Sequence, residues 1–133
     1  MVQEESANSP TDVIFVTLNE SNGWRIRKNR LLDISLAEAS HFITGLYGFS
    51  VWDLYFVEDL IVIENAKKGI VLDVGWYPHA DPSGEYRLVL LNSSDPDSFN
   101  NAAFSGNWDR PIIDYHTRSL PELLVEIRNI LSD

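Results

Sequence analysis

Histidine and cysteine, the residues that most often bind metals or act as nucleophiles, offer this chain little chemistry. The sequence contains no cysteine, so it has no thiol nucleophile, thiolate metal site or disulfide. Its three histidines, His41, His79 and His116, stand far apart and outside any His-x₃-His or His-Glu-x-x-His spacing. His79 lies close to Asp81 in the sequence, but a solvated loop pair explains this better than a metal site. We therefore predict that the chain has no metal and no cofactor.

Paired carboxylates are a second kind of chemistry that the residue types allow. The candidate pairs are Asp53 with Glu58 or Asp59, and Asp73 with Glu64. A catalytic pair needs a concave site that drives two pKa values apart. With 20 Asp and Glu in 133 residues, chance proximity is expected, and solvated acidic faces explain these residues better. There is also no Gly-x-Ser-x-Gly motif and no Gly-rich phosphate loop. We predict that the chain is not an enzyme and keep a small enzyme as an alternative.

Net charge restricts the class of partner. Residues 31–133 hold 16 Asp and Glu against 6 Lys and Arg, and this difference equals the formal charge of −10 of the whole chain. A domain this acidic repels nucleic acids and anionic membranes and attracts basic protein surfaces. The cationic cluster from Arg25 to Arg30 is flanked by Glu20 and Asp33, and an edge strand protected by charge explains it as well as phosphate binding does. We predict that the partners include neither nucleic acid nor membrane.

Strand and helix signals along the chain predict an α+β domain. Capping boxes begin at Ser35 and Ser119, and each precedes an apolar stripe at helical spacing, which predicts helices over 35–47 and 119–131. Strands are predicted over 12–19, 23–32, 51–57, 60–64, 70–77, 85–92 and 111–116. We predict one mostly antiparallel sheet of five to seven strands, with both helices packed on one face.

Alternation assigns the faces of the two strands that flank residues 78–84. One face is wholly apolar and holds Ile70, Leu72, Val74, Trp76, Tyr86, Leu88 and Leu90. The other face is mixed, which is typical of an antiparallel sheet covered on one side. If Tyr77 pairs with Glu85, Asp73 lies diagonal to Arg87, close enough for a cross-strand ion pair.

The four tryptophans divide into core residues and one candidate binding residue. Trp24, Trp52 and Trp76 are predicted to be core residues. Trp108 lies in the long polar stretch 93–109, where it is either a lid on the core or the anchor of a protein interface. Combined with nearby acids and a tyrosine on the mixed sheet face, it completes a candidate binding set of Tyr77, Asp81, Asp95, Asp97, Trp108 and Asp109.

The second half of the chain has a recognisable order of elements. Residues 69–91 give two strands joined by a short loop, Trp108 to Pro111 give a strand start, and residues 117–131 give a closing amphipathic helix. This order, over about half of the chain, resembles small immunity proteins that accompany bacterial toxins of contact-dependent growth inhibition and related polymorphic toxin systems. The resemblance implies a cytoplasmic protein that binds one cognate toxin domain, often a nuclease, and blocks its activity.

Charge and resemblance point to the same class of function. Nucleases bind phosphate groups through basic surfaces. An inhibitor that covers such a surface therefore associates with it faster when its own surface is acidic. We therefore predict a bacterial, cytoplasmic immunity protein that neutralises a cognate, basic, nuclease-type toxin domain. A nucleic-acid mimic that inhibits a DNA or RNA enzyme remains an alternative. Residues 1–11 lack the basic start and apolar stretch of a secretory signal, and we expect a disordered leader there, followed by a single domain over 12–133.

Overall fold

An antiparallel sheet of five strands forms the centre of the domain. The computed structural model describes residues 14–40, 50–92 and 108–132. The strands lie side by side in chain order and are Trp24–Asn29 (β1), Ile61–Asn65 (β2), Ile70–Tyr77 (β3), Glu85–Asn92 (β4) and Ile113–Thr117 (β5). The helices in the described ranges are Leu36–Ala39 (α1), Val51–Tyr55 (α2) and Leu120–Leu131 (α3). The predicted α+β class and antiparallel sheet are confirmed.

The strands β2, β3 and β4 form two hairpins whose register follows the alternation in the sequence. Residues 66–69 make the first turn, and Gly69 takes a φ of 67°, a conformation that glycine adopts without strain. Across the second hairpin Tyr77 pairs with Glu85, the register that the sequence analysis assumed, and Ile70 pairs with Asn92. The two faces of β3 and β4 are therefore the ones that the alternation assigned.

The helices pack on one face of the sheet and close the core there. The buried stripe of α3, formed by Leu120, Leu123, Ile127, Ile130 and Leu131, belongs to the same apolar cluster as the apolar face of β3 and β4. Trp76 is fully buried and meets the rings of Phe56 and Tyr86 edge-on, with ring centroids 4.9 and 5.0 Å apart. Trp24 is also buried, and Trp52 packs half-buried against the cluster. The predicted core positions of Trp24 and Trp76 are confirmed, and Trp52 lies at the margin of the core.

One predicted strand is a helix instead. Residues 51–57 are rich in β-branched and aromatic residues, but Val51–Tyr55 forms α2. Ser50 caps the helix by accepting from the Asp53 N–H, and the Asp53 side chain accepts from the Ser50 N–H in return. The rings of Trp52 and Phe56, one helical turn apart, lie 4.3 Å from each other at their centroids. Capping and helical contacts thus outweigh the strand preference of the individual residues.

The other helices begin where their caps predicted. α1 starts after Ser35, whose capping box with Glu38 is complete, and residues 41–49 of the predicted first helix lie outside the described residues. α3 starts after Ser119, which accepts from the Glu122 N–H. No helix within the described ranges has the length and apolar composition needed to cross a membrane.

The predicted first strand, 12–19, is reduced to one bridge in its described part. Phe15 pairs with Leu32, and Val16 donates to Leu31 O, but residues 16–19 add no further ladder. Residues 12 and 13, the predicted leader and residues 93–107 of the long polar stretch lie outside the described residues. The five strands of the sheet come from the remaining predictions.

Candidate functional site

The sheet face opposite the helices is closed at one end and open at the other. At the closed end Val71, Val89 and Leu91 are buried, and Val62 packs against them. At the open end, around Tyr77, the same face carries charged side chains that are partly exposed. The open end is therefore the part of this face on which a partner has side chains to contact.

Two acidic residues reach the open end through a bulge that precedes β2. The Leu60 N–H donates to Val74 O at 3.0 Å, and the Trp76 N–H donates to Val57 O at 2.8 Å. Between these two bonds the segment 57–60 holds one residue more than a regular ladder opposite β3 would need, which makes it a bulge. A Cβ on Gly75 would lie 2.1 Å from the carbonyl oxygen of Glu58. The Glu58 backbone thus crosses directly over β3 on the open face, and only glycine leaves room for it. The bulge places Glu58 and Asp59 beside β3.

Tyr77 lies at the centre of the charged groups. Its ring lies 5.9 Å from the guanidinium carbon of Arg87, and its hydroxyl is 3.4 Å from the carbonyl oxygen of Glu58. Burial raises the pKa of the Tyr77 hydroxyl, and the negative charges of Asp73 and Glu58 raise it further. A phenol in this setting remains protonated; its O–H donates to Glu58 O, and its oxygen can accept a hydrogen bond from a ligand.

Asp73 is the most perturbed carboxyl group of this face. Burial raises its pKa from 3.8 to about 7, the charge of Asp59 adds to the rise, and Arg87 and Lys28 partly offset it. None of the hydrogen bonds among the described residues reaches its carboxylate. The predicted ion pair with Arg87 is not formed, because the Arg87 Nε and Nη2 donate to Asp114 instead, both at 3.0 Å. Among the described residues, no cation is thus in direct contact with Asp73.

The strands β4 and β5 add a charge network to the open end. His116 places its Nδ1 2.7 Å from Glu85 and its Nε2 3.0 Å from Asp114. Hydrogen bonding to Arg87 is the main cause that lowers the pKa of Asp114. The side chains of His116 and Glu85 are 45% and 44% exposed, so a partner can reach them. We call the whole set the Tyr77 patch: Glu58, Asp59, Asp73, Tyr77, Glu85, Arg87, Asp114 and His116.

Two of the three cationic residues of β1 form ion pairs within the described part of the chain. Lys28 Nζ lies 2.6 Å from Asp59, and Arg27 Nε lies 3.1 Å from Glu64. Glu64 is buried, and burial raises the pKa of its carboxyl group against the lowering effect of Arg27 and Arg25. β1 is an edge strand. The edge-strand interpretation of this basic cluster therefore fits the structure.

The predicted binding residues do not form one site. Tyr77 lies in the patch. Asp81 follows in the next loop, where its Oδ1 accepts from the N–H and hydroxyl of Ser83, and these bonds lower the pKa of Asp81. Trp108 and Asp109 are exposed and precede the end of β5 that pairs with Leu90, at the other end of the sheet from Tyr77. Asp95 and Asp97 lie outside the described residues.

The other residues of the patch were not among the predicted binding residues. For Asp73, Glu85 and Arg87 the alternation of β3 and β4 carried the signal, because it placed all three on the mixed face with Tyr77. For Asp114 and His116 the signal was the alternation of β5, which places both side chains on one face of that strand. For Glu58 and Asp59 the sequence holds only an acidic pair ahead of a strand, and their position depends on the distant glycine at 75.

The chemistry of the patch is the binding of cations and of hydrogen-bond donors. Five carboxylates face one arginine in it, and a tyrosine ring offers an apolar and aromatic surface. Within the described ranges no cluster of His, Asp and Glu is arranged to hold a metal ion. A groove of about 320 Å³ between residues 17–21 and the end of α3 has Arg128 as its one charged lining residue and shares no residue with the patch.

Comparison with known proteins gives this chain no relative from which a role can be transferred. No protein-family model, curated protein or solved structure matches it.

Proposed function

We propose that this chain is an immunity protein that binds a cognate, basic toxin domain of the nuclease type through the Tyr77 patch and blocks its activity. The observation that carries the proposal is the patch itself: five carboxylates gathered around a half-buried tyrosine, on the sheet face that the helices leave open. The net charge of −10 and the resemblance of residues 69–91, 108–111 and 117–131 to immunity proteins support the same class of partner.

Acidity at the patch favours rapid capture of a basic partner. Complementary charges raise association rate constants from about 10⁵–10⁶ toward 10⁸–10⁹ M⁻¹s⁻¹ at low salt. An antidote gains from speed, because a toxin acts as soon as it is free in the cell. Exposed Glu58 and Glu85, whose side chain is 44% exposed, carry the long-range part of this attraction, whereas Lys28 offsets the charge of Asp59.

Asp73 and Tyr77 would contribute to the stability of the complex rather than to its rate of formation. No cation in the described part of the chain contacts the Asp73 carboxylate directly, so a lysine or arginine of the partner supplies an interaction that this part of the free protein lacks. Such a cation favours the ionised form, and the group then releases its proton on binding. Tyr77 provides the aromatic area that is typical of interface hot spots.

The proposal is tested with the toxin domain encoded next to this chain in its genome. Cells that express this toxin are grown with the wild-type chain, with a patch variant and with a control. The patch variant is Glu58→Gln with Asp73→Asn. The control, Asp33→Asn with Glu126→Gln, makes the same two types of substitution at positions outside the patch.

We expect the wild-type chain and the control to protect the cells, and the patch variant to bind the toxin about tenfold or more weakly in a titration of the purified proteins. Equal affinity of patch variant and control would show that the toxin is bound elsewhere. A toxin that kills cells regardless of the wild-type chain would overturn the proposed function itself.

A further inference from the structure

The outer edge of the sheet at β5 has free main-chain groups. The carbonyl oxygen of Leu90 in β4 accepts from the Ile112 N–H at 2.7 Å, so the main-chain groups of Leu90 point toward β5. Leu90 pairs with Ile113, so the main-chain groups of Ile113 point back toward β4. Main-chain groups alternate sides from one residue of a strand to the next. The N–H and C=O groups of Tyr115 therefore point toward β4, whereas those of Asp114 and His116 point away from the sheet.

Nothing in the described part of the chain occupies this outward side. β5 is the last strand of the sheet, and none of the hydrogen bonds among the described residues reaches the outward N–H or C=O groups of Asp114 and His116. An edge strand with such groups is a template for a further strand. The strand also holds no proline within Ile113–Thr117 that would remove a donor.

We propose that β5 pairs with β5 of a second copy of this chain, antiparallel and with the two-fold axis at Tyr115. This register places Asp114 of each copy opposite His116 of the other, and the two residues exchange main-chain hydrogen bonds. A shift of the axis to Asp114 sets two carboxylates opposite each other, and a shift to His116 sets two imidazoles opposite each other. The register at Tyr115 is the complementary one.

The side chain of Tyr115 adds an apolar contact across the axis. It is half-buried on the helix-covered face, where it packs against the core. Opposite residues at a position without main-chain hydrogen bonds have Cα atoms only about 4.5 Å apart. Two tyrosines at that distance give an aromatic cross-strand pair, which stabilises antiparallel strands. The dimer has one continuous sheet of ten strands, with both Tyr77 patches on the same face.

Charge opposes this dimer, and the opposition distinguishes it from toxin binding. Each copy carries −10, so the two copies repel each other at low salt and associate more strongly as salt screens the repulsion. Binding to a basic partner has the reverse dependence, because salt screens an attraction. The dimer does not rest on the proposed function, and either of the two can fail without the other.

Sedimentation velocity of the full chain over a range of concentrations, at about 0.05 M and about 0.5 M salt, measures the association. We expect a concentration-dependent dimer that is favoured at high salt. His116→Pro removes an outward N–H from each copy while leaving the β4 ladder in place, and it should weaken the dimer about tenfold or more. His116→Ala, which keeps the N–H, is the control and should weaken it less.

Hydrogen exchange of the wild-type chain gives a second measurement that needs no variant. The amides of Asp114 and His116 should exchange more slowly as the protein concentration rises, whereas the Tyr115 amide, bonded to β4, is protected at every concentration. A monomer at all concentrations and salts, or exchange at Asp114 and His116 that does not change with concentration, would overturn the proposal. A dimer that His116→Pro leaves intact would overturn it too.

Discussion

The replacement Asp73→Asn should stabilise the fold at neutral and alkaline pH. The folded protein holds the Asp73 carboxyl group in a half-buried position without a described hydrogen-bond donor, and burial raises its pKa from 3.8 to about 7. One pKa unit corresponds to about 1.4 kcal/mol, so the shift corresponds to on the order of 4 kcal/mol. Solvent reaches part of the side chain, and we expect a measured gain of about 2–4 kcal/mol in the free energy of unfolding at pH about 8.

The pH dependence of this gain identifies its cause. Below pH about 4 the carboxyl group is protonated in the folded and the unfolded chain, and the substitution changes little. Between pH about 4 and about 7 the unfolded wild-type chain ionises while the folded chain still binds the proton, so wild-type stability falls relative to Asp73→Asn. Above pH about 7 the difference is constant.

Urea unfolding followed by tryptophan fluorescence at several pH values measures this difference directly. Asp114→Asn is a control of opposite sign. The pKa of the Asp114 carboxyl group is lowered because Arg87 donates to it. The ionised carboxylate therefore stabilises the wild-type fold above the ordinary pKa of aspartate, and this stabilisation is lost as pH falls. A difference between Asp73→Asn and wild type that does not vary with pH, or a loss of stability at pH about 8, would refute the reasoning. The same variant should bind the toxin more weakly, so stability and binding change in opposite directions.

Three further results are expected. Gly75→Ala should lower the free energy of unfolding, measured by heat or urea, by on the order of 2–4 kcal/mol, because the new Cβ would lie 2.1 Å from the Glu58 carbonyl oxygen. An unchanged stability would show that the bulge is free to move. Asp81→Ala should lower the melting temperature at pH about 7 but not at pH about 2, since the bonds from Ser83 stabilise the ionised carboxylate; equal losses at both pH values would contradict this. The affinity for the toxin should fall as salt rises in a calorimetric titration, and an affinity independent of salt would argue against electrostatic attraction.

The sequence predicted the parts of the fold that depend on local pattern. Alternation in β3 and β4 predicted both strands and their two faces. The capping residue Ser119 and the apolar stripe predicted α3 in the same way. These signals are strong because one side of each element is buried and the period of the side chains is fixed by the backbone.

Features that depend on contacts between distant residues were not predictable. One local signal was also missed: the Ser50–Asp53 capping box begins the helix in segment 51–57 despite its strand-forming residues, and the packing of Trp52 on the distant Trp76 supports that helix. The bulge depends on the absence of a side chain at Gly75, many residues later in the chain. The pKa of Asp73 depends on burial, which composition does not reveal. The candidate site is built from such features, so the sequence indicated its face but few of its residues.

The acids of the described ranges divide by what they do for the fold. Five of them accept hydrogen bonds from the backbone or a hydroxyl group of their own chain: Glu20, Glu38, Asp53, Asp81 and Glu122. The side chains of Glu58 and Asp73, in contrast, take part in none of the side-chain hydrogen bonds or ion pairs among the described residues, and ionisation of Asp73 opposes folding. Acids that stability does not need are typical of a binding surface, where function is retained at the expense of stability. This is why the pair Glu58→Gln and Asp73→Asn separates binding from folding: a variant at least as stable as the wild type that binds the toxin more weakly than the Asp33→Asn, Glu126→Gln control has lost an interaction at the patch and not its fold.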